Sequence, residues 1–274
     1  MKKRFLVIFT TSLLTWVNIY AADDKENKTV EEKKISYSAA LDAGSTYLWR
    51  GFDAYAGKLV AGNTPGNVFN FAPGLFPSFT VNSTNGLSFN IWGARSVIAR
   101  SLKDGDLGSI DEIDFTGTYT VEDKSGTFAS SIIGYVFPTA SYASCTTATL
   151  PSYGELVFSY TAPIILSPFV SIAASLGPSG GEYEYASLGI SHVFEMGVIK
   201  LGPKLLMGYW YMNNSTSNNK LHIDLNVPVI VQITEAFEFH AGLIGSYRAI
   251  GFVDNVNKYS PFVLVASLGT SYSF

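Results

Sequence analysis

The chain ends in FVLVASLGTSYSF, residues 262–274, and this stretch decides the fold. Counted from Phe262, most of the alternate positions hold apolar or aromatic residues. Most of the positions between them hold Ser or Gly. This period of two is typical of a β-strand with two different faces. Because Phe supplies 19 of the 274 residues, a terminal Phe alone carries little weight. Together with the alternation, Tyr272 and Phe274 form a pattern typical of the last strand of a bacterial outer-membrane barrel, where they act as the C-terminal insertion signal.

The same alternation recurs along the chain. In the segment 35–51, Tyr37, Tyr47 and Trp49 lie near the two ends of one apolar face, with small residues between them. Aromatic rings favour both interfaces of a membrane, so this face is predicted to contact lipid. Four further segments pair an apolar face with a polar one: 110–122, 198–212, 220–233 and 236–249.

Twelve such segments predict an all-β fold, a transmembrane antiparallel up-and-down β-barrel of about twelve strands within residues 35–274. Their connections alternate between long and short, which favours a membrane barrel over a soluble β-sandwich. Five short connections, such as 82–86 and 162–163, contain turn-forming residues. The predicted strands are 35–51, 71–82, 86–100, 110–122, 126–137, 152–162, 164–176, 183–195, 198–212, 220–233, 236–249 and 261–274.

The N-terminus predicts export. Lys2, Lys3 and Arg4 precede an apolar stretch that ends in small residues, so residues 1–21 are interpreted as a signal peptide. Residues 22–34 are rich in charge and are predicted to form an unstructured periplasmic leader. With an even number of strands, both termini are expected in the periplasm of a Gram-negative bacterium. Expected partners are outer-membrane lipid, lipopolysaccharide and the barrel-insertion machinery.

Composition excludes several classes of function. Removal of the three N-terminal cations takes the formal net charge from −4 to −7, which disfavours nucleic acid as a partner. The single Cys145 excludes an intramolecular disulfide framework.

Two predicted strands contain residues that suit them poorly. Continuing the outward register of the third strand places Arg95 against lipid, so a β-bulge is predicted near Trp92 to Ala94. Pro73 and Pro77 in the second strand each lack a donor for the sheet ladder.

Three short motifs resemble the Gcw-chp family of outer-membrane barrels. They are Ser45-Thr46-Tyr47-Leu48-Trp49-Arg50-Gly51, Glu112-Ile113-Asp114 and Gly134-Tyr135-Val136-Phe137-Pro138. The family often continues Arg-Gly with Ile-Ser, where this chain has Phe52-Asp53. Since the biochemical role of the family is undefined, the resemblance implies a fold and a location but no active site.

No motif predicts catalysis, a cofactor or a metal. A lipid hydrolase on such a barrel needs a Ser nucleophile and a His base on the lipid-facing surface. Only His192 lies on an outward register, and its same-face neighbours Ile190 and Phe194 offer no Ser. The acidic stretch beginning at Asp104 fails the EF-hand pattern, because position 12 is Phe115. An outer-membrane lipid hydrolase is therefore a minor alternative.

The predicted lumen carries charges of both signs. A barrel of twelve strands is intermediate between one filled by side chains and a wide channel. The leading hypothesis is therefore a small passive diffusion pore for small solutes. The lumen-lining candidates are Asp42, Arg50, Glu112, Asp114, Glu155, Lys200, Lys204, His222, Asp224, Glu238, His240 and Arg248.

The alternative is a closed structural or surface-interaction barrel with its lumen filled by its own loops. The apolar residues of the first long loop, 52–70, favour this alternative. Arg50 either lines the pore mouth or forms an internal ion pair, with an inward carboxylate such as Asp114 or with a loop.

Overall fold

The computed structural model describes residues 35–50, 52–53, 72–97, 110–138, 152–177, 183–212, 219–250 and 261–274. The predicted signal peptide, leader and most loop residues lie outside these ranges. Among the described residues, no helix is long and apolar enough to cross a membrane.

The strands are β1 (Ile35–Gly44), β2 (Leu48–Trp49), β3 (Phe52–Asp53), β4 (Gly74–Ser83), β5 (Leu87–Ser96), β6 (Glu112–Asp123), β7 (Gly126–Val136), β8 (Tyr153–Thr161), β9 (Phe169–Ser175), β10 (Tyr183–Ser191), β11 (Phe194–Met196), β12 (Ile199–Leu201), β13 (Lys204–Met212), β14 (Lys220–Gln232), β15 (Phe237–Ile250) and β16 (Phe262–Ser273).

Twelve of these strands close into an antiparallel barrel, which confirms the predicted fold. The ring runs β1, β4 to β10, then β13 to β16, and β16 pairs with β1 to close it. β11 and β12 extend the hairpin between β10 and β13, and β12 also pairs with β14. The short turns and both ends of the described chain lie at one end of the barrel, here called the turn end. The opposite end is called the loop end.

The wall separates an apolar exterior from a polar interior. On β6, Phe115 and Tyr119 are exposed, whereas Asp114, Thr116 and Thr118 are buried. An exposed apolar belt of this extent is unfavourable in water and favourable against lipid. The barrel therefore spans a membrane. Each wall strand contributes to the belt: Leu41, Phe79, Ile91, Phe115, Ile132, Phe158, Ile172, Leu188, Leu205, Leu225, Leu243 and Leu268.

The C-terminal residue completes the seam of the barrel. The Phe274 amide donates to the Tyr37 carbonyl at 3.0 Å, and the Tyr37 amide donates back to the Phe274 carbonyl at 3.1 Å. The two rings stack with centroids 5.7 Å apart. Phe274 therefore contributes to closure of the barrel in addition to its predicted role in insertion.

Phe274→Ala separates these two roles. The refolded variant should lose about 1–3 kcal/mol of stability, because the stacked contacts of Phe274 with Tyr37 and Tyr272 are removed while the backbone bonds remain. If Phe274 is also the insertion signal, the yield of folded barrel in cells should fall far more than this loss explains. Heat-dependent gel mobility measures both, with Ser273→Ala as the control. An unchanged cellular yield would show that Phe274 is no insertion signal.

The predicted first strand is wrong beyond Gly44. β1 ends there, and residues 45–50 leave the wall and enter the lumen. A Cβ on Gly44 would lie 3.0 Å from the Thr46 carbonyl and 3.1 Å from the Phe76 ring, so this close turn favours Gly. Tyr47 is 1% exposed and packs inside, although the alternation predicted that it faces lipid.

Two further predictions of local structure are wrong. The seventh strand begins at Phe169 instead of residue 164, because Pro163 and Pro168 bracket a wider turn and lack amide donors. The β-bulge near Trp92 is not formed, since β5 keeps one register against β4 and β6. Arg95 stays on the outward register near the end of β5, where a long side chain can reach water.

The eighth and ninth predicted strands, 183–195 and 198–212, are each interrupted. The breaks fall at 192–193 and 202–203, and the His192 amide donates to the Pro203 carbonyl across them at 3.1 Å. Pro203 has no amide with which to continue a regular ladder. Pro73 precedes β4, and Pro77 lies within it, at a point where the β4–β5 pairing is interrupted.

Candidate functional site

The loop end of the lumen is filled by residues 45–50, here called the inward segment. Leu48 packs against Ile244 of β15 and against Val263 and Val265 of β16, the strand next to β1. Tyr47 packs against Ala72, Phe76 and Ala94, with Trp92 at its edge. Twelve strands enclose more space than their own side chains fill. These six residues occupy space inside the barrel that the side chains of the wall leave open.

Arg50 anchors the inward segment to the wall. Its guanidinium donates two hydrogen bonds to Glu155 of β8, at 2.7 Å and 2.6 Å. The Tyr183 hydroxyl donates to the same carboxylate at 2.6 Å. The Glu155 side chain is fully buried, and the Trp210 indole donates to the Arg50 carbonyl at 3.0 Å. A two-pronged, charge-assisted pair of this kind fixes both position and orientation.

Aromatic rings enclose the Arg50 guanidinium. Its carbon lies 4.5 Å from the Tyr185 ring centroid, 5.2 Å from that of Trp49 and 5.6 Å from that of Trp210. A guanidinium does not lose its proton in proteins, and the Glu155 carboxylate against it balances the buried charge. The guanidinium therefore stays charged. Arg50 also has a φ of 47°, a left-handed conformation that few non-Gly residues adopt.

Arg50 thus forms an internal ion pair, as one of the two alternatives predicted, but with another carboxylate. The sequence pointed to Asp114, whereas the structure places Glu155 against the guanidinium. The reason is that residues 45–50 cross the lumen instead of continuing up the wall. Once inside, Arg50 reaches β8, two strands beyond β6 around the ring.

Two further pairs form between predicted lumen residues. The Asp42 carboxylate lies 2.5 Å from the His240 ring, and the two meet over Gly269 of the strand between them. His222 lies 3.0 Å from Asp224. A Cβ on Gly269 would overlap both Asp42 and His240. The glycine is therefore what allows side chains from alternate strands to touch.

The His222 pair belongs to a longer chain of polar contacts. The Ser246 hydroxyl donates to Asp224 at 2.6 Å, and His222 lies 3.2 Å from the Tyr185 hydroxyl. Since Ser246 bonds to Asp224 and not to His222, the order differs from that of a serine hydrolase triad. We interpret this chain as structural.

Glu112 and Asp114 of β6 lie on the inward face near the loop end. Both are buried, at 4% and 1% exposure, and Thr116 follows them on the same face. The Asp114 carboxyl group lies within hydrogen-bonding reach of the Glu112 carboxyl group. This group is distinct from the satisfied Arg50–Glu155 pair.

The remaining candidates are Lys204, Glu238, Arg248 and Lys200. Lys204 places its ammonium 4.3 Å from the Phe169 ring centroid, and Ser271 donates to Glu238 at 3.4 Å. Arg248 is buried beside His222 in the register of β14 and β15. Lys200 pairs in register with Glu195 of β11.

The inward aromatic residues were not singled out from the sequence. Tyr135, Tyr183, Tyr185 and Trp210 form one buried cluster around the inward segment. Their signal was present, because Trp210 lies between Tyr209 and Tyr211, which face outward. A search of the inward face for charged residues alone does not find these aromatic residues.

His192, the candidate base of a lipid hydrolase, packs edge-on against Phe194 at 4.7 Å between ring centroids. Within the described ranges, no group of three or more His, Cys, Asp and Glu side chains is arranged to hold a metal ion.

Comparisons with known proteins find similarity in structure only. No family model matches the chain, and neither does any curated protein, so the Gcw-chp resemblance stays a prediction. An outer-membrane channel from Pseudomonas putida F1 is 11% identical, covers 93% of this chain and 100% of its own, and has a TM-score of 0.49. The NanC porin is 7% identical over 87% of this chain and 98% of its own, with a TM-score of 0.47. The outer-membrane protease OmpT from Escherichia coli is 10% identical over 91% and 99%, with a TM-score of 0.33. These similarities assign no function to the chain.

Proposed function

We propose that the protein is an outer-membrane, porin-like barrel that gives small solutes a narrow passage, constricted by the inward segment. The observation that carries the proposal is the closed twelve-stranded wall around a lumen lined by charged and hydroxyl side chains. Such a lining suits water and small polar solutes better than it suits a purely structural core. The Arg50–Glu155 pair anchors the inward segment to the wall of this lumen.

The proposed orientation places both termini in the periplasm and the loop end outside the cell. In support, Ile35 and Phe274 both lie at the turn end, beside the short connections. Barrels of the bacterial outer membrane carry short turns on the periplasmic side and longer loops outside.

A closed structural or surface-interaction barrel is the second candidate. The packing of Tyr47 and Leu48 favours it, because both are almost fully buried where a passage would run. The two candidates differ in whether water and ions cross the inward segment.

Single-channel recording of the refolded protein in planar bilayers separates them. We expect discrete openings of low conductance, because the inward segment narrows a lumen that twelve strands would otherwise leave wider. Heat-dependent gel mobility verifies the barrel in the same sample, and boiled protein is the control. Silence from a sample with an intact barrel overturns the passage and leaves the closed barrel.

A further inference from the structure

One side of the turn end carries exposed apolar side chains, although other turns at this end are polar. The exposed fraction reaches 81% at Ile165 and 60% at Val198. By contrast, the turns 83–85 and 123–125 consist of Ser, Thr, Asn, Asp and Lys. Exposed apolar patches mark contacts with a membrane or with another protein. The exposed residues that form this patch, here called the apolar lobe, are Ile164, Ile165, Leu166, Phe194, Met196 and Val198.

Hydrogen bonds join the parts of the apolar lobe along one rim of the barrel. The Ser191 amide donates to the Leu166 carbonyl at 2.8 Å, which holds the turn 163–168 against the end of β10. The Gln232 amide donates to the Val198 carbonyl at 2.8 Å, which holds the β11–β12 hairpin against β14. Since β11 follows β10 after only two residues, the turn and the hairpin are neighbours.

The turn 163–168 keeps its apolar side chains exposed with a strained backbone. Leu166 has a φ of 64° and Ser167 has a φ of 33°, both in the left-handed region that few non-Gly residues adopt. Strain of this kind persists only where the surroundings compensate for it, and it clusters at functional sites. Burial of the apolar side chains of this turn in lipid would supply such compensation.

The β11–β12 hairpin has the same apolar outer face as the wall. Met196 pairs in register with Ile199, and Ile199 pairs with Val231 of β14. Register partners share a face of a sheet, and so do residues an even number of positions apart in one strand. Met196 therefore lies on the side of the sheet that carries Leu225, a residue of the lipid-facing belt.

The apolar lobe lies across the barrel from the polar β4–β5 turn. In the ring of twelve strands, β10 is opposite β4 and β13 is opposite β5. A rim that is apolar on one side and polar on the other favours a barrel axis inclined to the membrane normal, since each side then meets the medium that it prefers.

We propose that the apolar lobe is buried among lipid acyl chains of the leaflet at the turn end, so that the barrel sits deeper in the membrane beside β10 and β13 than beside β4 and β5. Lipid is the partner that fits, because the lobe continues the lipid-facing surface, whereas Glu195 and Lys200 of the hairpin lie on its opposite face. The predicted leader, residues 22–34, is too rich in charge to cover an apolar surface. The inference depends on the barrel spanning a membrane and not on the passage of solutes.

Quenching of a fluorescent label tests the proposal on the refolded full chain in phosphatidylcholine vesicles. Ile165→Cys and Met196→Cys place an NBD fluorophore on the apolar lobe. Thr84→Cys and Lys124→Cys place it on the polar turns as matched controls. All four variants also carry Cys145→Ser, so each has a single thiol. Gel mobility confirms that each labelled variant is folded before it is measured.

The two labels on the lobe should report hydrocarbon, and the two control labels should report water. Phospholipids with brominated acyl chains should quench the lobe labels and leave the control labels almost unchanged. Iodide in the aqueous phase should quench the lobe labels at least about threefold less than the control labels, because an anion is excluded from hydrocarbon.

Two outcomes overturn the proposal. Equal quenching of all four labels by iodide would place the lobe in water. Lobe labels that neither iodide nor brominated lipid quenches would show that protein covers the lobe, from a second copy or from residues 22–34. A silent barrel whose lobe meets lipid overturns the passage alone, and a conducting barrel whose lobe meets water overturns this inference alone.

Discussion

Replacement of Arg50 by Met is expected to destabilise the barrel by about 3–5 kcal/mol, because Glu155 is left buried and uncompensated. Glu155 is fully buried, and its described contacts besides Arg50 are the Tyr183 and Tyr135 hydroxyls, which carry no positive charge. The loss is measured as the shift in the urea midpoint of folding, followed by gel mobility. The same change releases the inward segment from β8, so conductance per opening should rise.

The double variant Arg50→Met with Glu155→Gln is the matched control. It removes the buried charge together with its partner, so it should recover a large part of the stability lost by Arg50→Met alone. Its conductance should still exceed that of the unsubstituted protein, since the anchor is absent. Equal stability of the single and double variants would show that the pair does not hold the segment.

Replacement of Gly269 by Ala is expected to cost about 2–4 kcal/mol, from overpacking and from separation of a buried polar pair. The new methyl group would overlap both Asp42 and His240, which touch over this glycine. Neither side chain can withdraw into solvent, because both are buried inside the barrel. The same urea titration measures the effect.

Gly134→Ala is the control for this substitution. Gly134 lies within β7, and a Cβ there would meet nothing within 4 Å. It should be neutral or slightly stabilising, because Ala restricts the unfolded chain more than Gly does. If Gly269→Ala were as stable as Gly134→Ala, the contact between Asp42 and His240 over Gly269 would not contribute to the stability of the barrel.

The wall of the barrel was predictable because its signals are local. A period of two reports which side of a strand meets lipid, and it needs no knowledge of the partner strand. Turn residues between segments then set the order of antiparallel neighbours. Two of the errors fall where a proline removes a donor, in the turn 163–168 and at the break at 202–203.

The inward segment was not predictable by the same means. Tyr47 and Trp49 continue the alternation of β1, so the pattern gives no sign that the wall ends at Gly44. Glu155 is 105 residues from Arg50 in the chain, and nothing near either residue identifies the other. Likewise, the contact of Asp42 with His240 depends on which strand lies between them.

The sequence by itself determined a membrane barrel of twelve strands, its apolar exterior and the set of polar residues that face inward. Each of these follows from alternation along a single strand. Only the tertiary structure decided how the interior is arranged: residues 45–50 enter the loop end of the lumen, Arg50 joins Glu155, and Asp42 meets His240 over Gly269. The physical reason is closure, because the volume of the lumen and the pairs across it exist only after β16 meets β1.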